Sequence, residues 1–176
     1  MTNILIAVGS ARKGSVAHKL APIVAEEAAK LEDVTASVIE LDDLQLPFFN
    51  NERSPSDPEY VATDEHVIAW GKLVSESDAV VFLTPEYNHN LSAIQKNAID
   101  SLFTEWNEKP IGVIAYGWGA GIHSVNALKE TLPVVKAELR EPVTQLQFTQ
   151  DIGPDASLID EASVREKISA TLQAVK

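Results

Sequence analysis

Apolar positions in this chain alternate between short runs and longer stretches with helical spacing. Ile4 to Val8 is an apolar run that stops at Gly9-Ser10. From Ser15 to Leu31, the residues Ala17, Leu20, Ala21, Val24, Ala28 and Leu31 recur on one helical face. Thr35 to Leu41 reads as a second strand, and residues 42–58 as a polar, Pro-containing loop around Leu46, Pro47, Phe48 and Phe49. The pattern then predicts a helix over Glu59 to Ser75 and a strand over Ala79 to Thr84, stopped by Pro85. A helix over Ser92 to Phe103 and a strand over Ile111 to Tyr116 come next, followed by a helix over Ile122 to Leu139. A fifth strand, Val143 to Phe148, and a closing helix, Asp160 to Val175, complete the series.

Strands alternating with helices predict a parallel sheet covered on both faces. The runs AVVFLT and IGVIAY are almost wholly apolar, as strands buried on both faces must be. Five strands with five helices fit a doubly wound sheet of order 2-1-3-4-5, and residues 1–176 are expected to form one domain. There is no internal repeat and no linker. In such a sheet ligands bind outside the carboxyl ends of the strands, where the strand order reverses.

Composition narrows the function. No apolar run approaches the ~20 residues that span a bilayer, and the opening segment is expected to be a buried strand and not a targeting signal. The chain has no cysteine, which excludes disulfides, thiol catalysis and thiolate metal sites and fits a cytoplasmic protein. Its net charge of −12 opposes nucleic acid and anionic membranes as partners. A phosphate-bearing ligand must therefore be held by local cations and backbone N–H groups.

Three strand ends carry unusual residues. The first is Gly9-Ser10-Ala11-Arg12-Lys13-Gly14-Ser15. It offers the hydroxyls of Ser10 and Ser15, the Arg12 guanidinium and a helix N-terminus, a combination suited to phosphate. The alternative is a plain turn with Ser15 as a helix cap. It is neither a P-loop nor a Gly-x-Gly-x-x-Gly fingerprint. The second is Thr84-Pro85-Glu86-Tyr87-Asn88-His89-Asn90. Tyr87 can lie against a planar ligand and Asn88 can bond donors or acceptors on it; the alternative is a polar loop with a cap at Asn90 or Ser92. The third is Tyr116-Gly117-Trp118-Gly119-Ala120-Gly121-Ile122-His123. Its glycines let backbone approach a flat ring. Trp118 and His123 either border that ring or are a surface aromatic and a helix-start histidine.

Together, GSARKGS at 9–15, TPEYN at 84–88 and KNAID at 96–100 resemble the NADPH-dependent FMN reductase family, which includes bacterial chromate and quinone reductases and related azoreductases. The resemblance spans about Ile4 to Leu139. It departs at Ala17, where the family usually has Asn, and at His123, near which the family often has Arg. The resemblance implies a flavodoxin-like three-layer α/β fold and an FMN-dependent NAD(P)H oxidoreductase. Ser10, Arg12 and Ser15 would hold the FMN phosphate. Pro85, Glu86, Tyr87 and Asn88 would line the ribityl chain and isoalloxazine, and Gly117, Trp118 and Gly119 the pyrimidine edge. Asn97 and Asp100 would act structurally, and the chain would form a homodimer or tetramer.

No catalytic side chain and no metal are expected, because the chemistry resides on the flavin. The small-molecule acceptor stays open among flavin, quinone, azo compound and metal oxyanion. So does NADH against NADPH, with Lys13 the nearby candidate for a 2′-phosphate. A flavodoxin-type electron carrier, a flavin-binding regulator and a cofactor-free domain of the same fold are the competing readings.

Overall fold

The computed structural model describes residues 1–176. Six parallel strands form one sheet: β1 (Thr2–Val8), β2 (Val34–Glu40), β3 (Ala79–Pro85), β4 (Pro110–Gly117), β5 (Glu138–Leu139) and β6 (Thr144–Gln147). The order is β2-β1-β3-β4-β5, with β6 also paired to β4. This is the flavodoxin-like arrangement expected from the sequence. Five helices cover the sheet: α1 (Val16–Ala29), α2 (Glu65–Ser75), α3 (Ala93–Asp100), α4 (Ile122–Thr131) and α5 (Glu161–Ala174). No helix is long and apolar enough to cross a membrane.

Successive side chains of a strand point to opposite faces, so each central strand feeds two cores. Ile4, Ile6 and Val8 of β1 and Val81 and Leu83 of β3 pack against Leu20 and Val24 of α1 and Ile168 and Leu172 of α5. Leu5, Ala7, Val80 and Phe82 face the other way, toward Trp70 and Val74 of α2, Ile99 of α3 and Leu128 of α4. The indoles of that second core satisfy their N–H groups on backbone carbonyls: Trp70 donates to Ala98 at 2.8 Å and Trp106 to Ile99 at 3.0 Å.

The helix expected over Ser92 to Phe103 runs Ala93–Asp100, and three other elements differ more from the sequence expectation. The helix predicted over Ile122 to Leu139 ends at Thr131, because Pro133 has no N–H to continue it. The chain turns there with Lys136 left-handed (φ 62°). Glu138–Leu139, expected as the end of that helix, instead joins the sheet as β5, an added strand before the expected fifth strand, which appears as β6. Both strands pair with β4, at Pro110–Ile111 and Ile114–Gly117. Pro142 lies between them and cannot donate to the ladder. The helix predicted from Glu59 begins at Glu65 instead, because the Asp64 side chain accepts from the N–H groups of His66 and Val67 and caps it there. The irregular stretch after β2 is correspondingly longer. Asn97 Nδ2 of α3 donates to the Pro47 carbonyl at 3.0 Å and ties that stretch down.

Candidate active site

The strand order reverses between β1 and its two neighbours, and the loops leaving β1, β3 and β4 meet at their carboxyl ends. Short bonds lock these loops to one another. Gly9 N donates to the Leu83 carbonyl at 2.9 Å, and Ser92 Oγ, the cap of α3, donates to the Gly9 carbonyl at 2.5 Å. A Cβ on Gly9 would stand 2.4 Å from Gln95 Oε1 and 2.9 Å from the Leu83 carbonyl, so only glycine fits there. Ser10, fully buried, shares a hydrogen bond with the Tyr87 hydroxyl at 2.8 Å. Glu86 N donates to the Tyr116 carbonyl, and the Glu86 carboxylate accepts the N–H of His123 at 2.9 Å. Phe148 N in turn donates to the Gly117 carbonyl.

At one end of the crevice stands the N-terminus of α1. Its N-cap residue, Ser15, makes no side-chain capping bond, and N–H groups at a helix start favour an anion. Arg12 projects from the loop before it, exposed and bonded to no carboxylate. Ser15 Oγ lies 2.5 Å from His18 Nδ1, and His18 Nε2 lies 3.1 Å from Glu40. Burial raises the Glu40 carboxyl above its ordinary range; His18 opposes this, and Asp43 and Asp42 add to it. Tyr116 reaches under the same helix end, beside the hydroxyls of Ser15 and Ser10. Burial pushes its phenol up to about 12, against the hydrogen bond from the Ala17 backbone.

The other end is aromatic. Tyr87 is half-exposed and Trp118 is 70% exposed, unusually open for so large a ring. Phe148 lies 5.2 Å from the Trp118 ring and 6.2 Å from that of Tyr116. Between the polar and aromatic ends lies a cavity of ≈ 390 Å³. A larger space of ≈ 550 Å³ lies between the stretch after β2, α2 and residues 101–105, and none of the loops leaving β1, β3 and β4 lines it.

Residues 2–144 match the NADPH-dependent FMN reductase family. The chain belongs to that family.

Membership makes it an oxidoreductase that works with FMN and NAD(P)H. It is 31% identical over 148 residues to an NAD(P)H-dependent FMN reductase of Schizosaccharomyces pombe, covering 84% of this chain and 74% of that one. It is also 31% identical over 180 residues to a quinone reductase of Pseudomonas putida, covering 98% of this chain and 89% of the other. Among solved structures, the flavoenzyme NAD(P)H:(acceptor) oxidoreductase of Paracoccus denitrificans superposes with a TM-score of 0.78 at 25% identity. That match covers 99% of this chain and 97% of the other.

Of the residues the sequence singled out in this family member, Arg12, Ser15, Pro85, Glu86, Tyr87, Asn88, Gly117 and Trp118 all line the cavity. Ser10 lies beneath it, holding Tyr87. Gly119 lies outside the lining, on the turn that leads into α4, where Ile122 N donates to its carbonyl. Gly121, at φ +69°, begins that helix; a Cβ there would stand 2.7 Å from that of Ala115. His89, Tyr116 and Phe148 line the cavity but were not singled out. Tyr116 and Phe148 each close an apolar run, so periodicity marks them as core. Only the position of a strand end at the order reversal signals a second role.

Proposed function

We propose that the cavity is the FMN site of this reductase, and that the chain passes electrons from NAD(P)H to a small acceptor. The single observation that carries this reading is one cavity joining the N-terminus of α1 and the Arg12 guanidinium to an aromatic wall. The donor set suits the cofactor. A phosphate needs N–H donors and a cation, and Arg12, Ser15 and the loop backbone supply them at one end. A flat apolar ring needs backbone and aromatic surface without side-chain bulk, and Gly117, Pro85, Tyr87 and Trp118 supply that at the other.

When bound, FMN supplies the two-electron chemistry. The side chains bind and orient. Arg12 and Ser15 fix the phosphate, Ser10 holds Tyr87 against the cavity, and Glu86 pins the first turn of α4 beside it. No acid or nucleophile from the chain takes part. Exposed Trp118 and Asn88 border the cavity, and donor and acceptor use this one site in turn, so the kinetics are ping-pong. Flavins, quinones, azo compounds and metal oxyanions are the acceptors to compare. Exposed Phe48, Phe49 and Val134 border one apolar groove, which a second copy of the chain covers in a homodimer.

The test is a visible spectrum of the purified protein with FMN, taken anaerobically before and after NADPH, with initial rates at several acceptor concentrations. Rapid bleaching and parallel reciprocal plots are expected. A flavin that stays oxidised removes the reductase reading, and intersecting plots remove the ping-pong order.

A further inference from the structure

Three side chains at the edge of the cavity form a cluster that flavin binding does not require. Glu86, His89 and His123 each offer one ligand atom, and these atoms lie within 4.8 Å of one another. The His89 and His123 rings stack with centroids 4.1 Å apart, inclined by 27°. The backbone behind them is fixed. Tyr87 and Asn90 exchange two backbone hydrogen bonds, of 2.9 and 3.0 Å. These close a two-residue turn in which Asn88 and His89 are both left-handed, at φ 51° and 63°. Asparagine and histidine are among the non-glycine residues most often found in that conformation, so the pair suits this turn. His123 sits in the first turn of α4, and its N–H is held by Glu86 Oε2 at 2.9 Å. One carboxylate oxygen thus orients the partner element, and the other oxygen is left for a ligand.

We propose that Glu86, His89 and His123 bind a divalent transition-metal ion of the zinc class. Two imidazoles with one carboxylate suit zinc, nickel or copper, whereas magnesium and calcium prefer all-oxygen sets. Ligands of a tetrahedral zinc stand ~3.4 Å apart, given bond lengths of about 2.0–2.1 Å. The three groups, at most 4.8 Å apart, therefore close by no more than about 1.4 Å to reach that spacing. Both imidazoles are exposed and Glu86 is half-buried, so this motion disturbs no core packing. The net charge of −12 favours a cation at this surface. Three protein ligands leave a further coordination position open. Glu86 and His89 also line the cavity, so the ion stands at its edge. The proposal rests on the cluster alone and not on the flavin reading.

Calorimetric titration of the chelator-stripped, full-length protein with zinc chloride tests it. One ion per chain is expected, with no heat from magnesium chloride. His123→Ala and His89→Asn, the latter chosen because asparagine tolerates the left-handed turn, should each weaken binding roughly 10–100-fold. His66→Ala, an exposed histidine on α2, should leave binding unchanged. Electron paramagnetic resonance of the wild-type protein with one equivalent of copper(II) needs no variant, and should show coupling to two imidazole nitrogens. Undiminished zinc affinity in a variant lacking both His89 and His123, no saturable binding, or coupling to a single nitrogen would overturn the site.

Discussion

Replacing Arg12 by alanine isolates the anion-binding end of the crevice. Arg12 is exposed and holds no carboxylate, so its loss leaves no charge unpaired and should not unfold the chain. The cost falls on the ligand. A hydrogen bond to a charged group contributes about 1.5–3 kcal/mol. The exposed position favours the low end, because unit charges ~4 Å apart attract by about 1 kcal/mol in water and about 4 kcal/mol near a protein surface. A loss of about 1.5–2 kcal/mol corresponds to a roughly 10–30-fold weaker Kd. The assay is fluorescence titration of the apoprotein with FMN and, in parallel, with riboflavin, which lacks the phosphate. Arg12→Ala should weaken FMN binding by that factor, leave riboflavin binding unchanged, and lose part of its effect at high salt. Equal losses for the two flavins, or no loss for FMN, would refute the placement of the phosphate at this loop.

Two further outcomes are expected. Arg165 of α5 fastens that helix to α1 through Glu26 and Glu27, and Glu161 steadies its guanidinium. Burial alone would raise the Glu27 carboxyl, but hydrogen bonds from Lys30 and Arg165 outweigh it and hold the group below its ordinary 4.5. A depressed carboxylate stabilises the fold above that ordinary value and ceases to do so as pH falls through its folded one. Arg165→Met should therefore lower Tm by several degrees near neutral pH, and its gap to wild type should narrow below 4.5; a gap independent of pH would show that this carboxylate is not the cause. Phe48→Asp, which places a charge on the exposed groove of Phe48, Phe49 and Val134, should shift a dimer to a monomer in sedimentation. An unchanged sedimentation coefficient would put the interface elsewhere.

Local pattern sufficed wherever one residue type dominates its own neighbourhood. The apolar runs of β1, β3 and β4 could be seen in the sequence because strands buried on both faces need no polar alternation. The loops after them were marked by Gly, Pro and aromatic residues that no core would call for. TPEYN and KNAID carried the family, and with it the cofactor. The same local view missed what distant partners decide. That Glu138–Leu139 is a strand and not the end of a helix depends on β4 offering a second pairing stretch at Pro110–Ile111. The late start of α2 depends on Asp64 prevailing over the residues before it. Tyr116 and Phe148 read as core because hydrophobic spacing does not distinguish a packed ring from one that ends at an opening. The cluster of Glu86, His89 and His123 joins positions up to 37 residues apart, and its geometry exists only once β3 and β4 lie side by side. Sequence determined the elements and the chemistry at their ends, because propensity, turns and periodicity act over a few residues. Only the tertiary structure decided which of those ends face a common space, because strand pairing sets that over distances the local pattern does not carry.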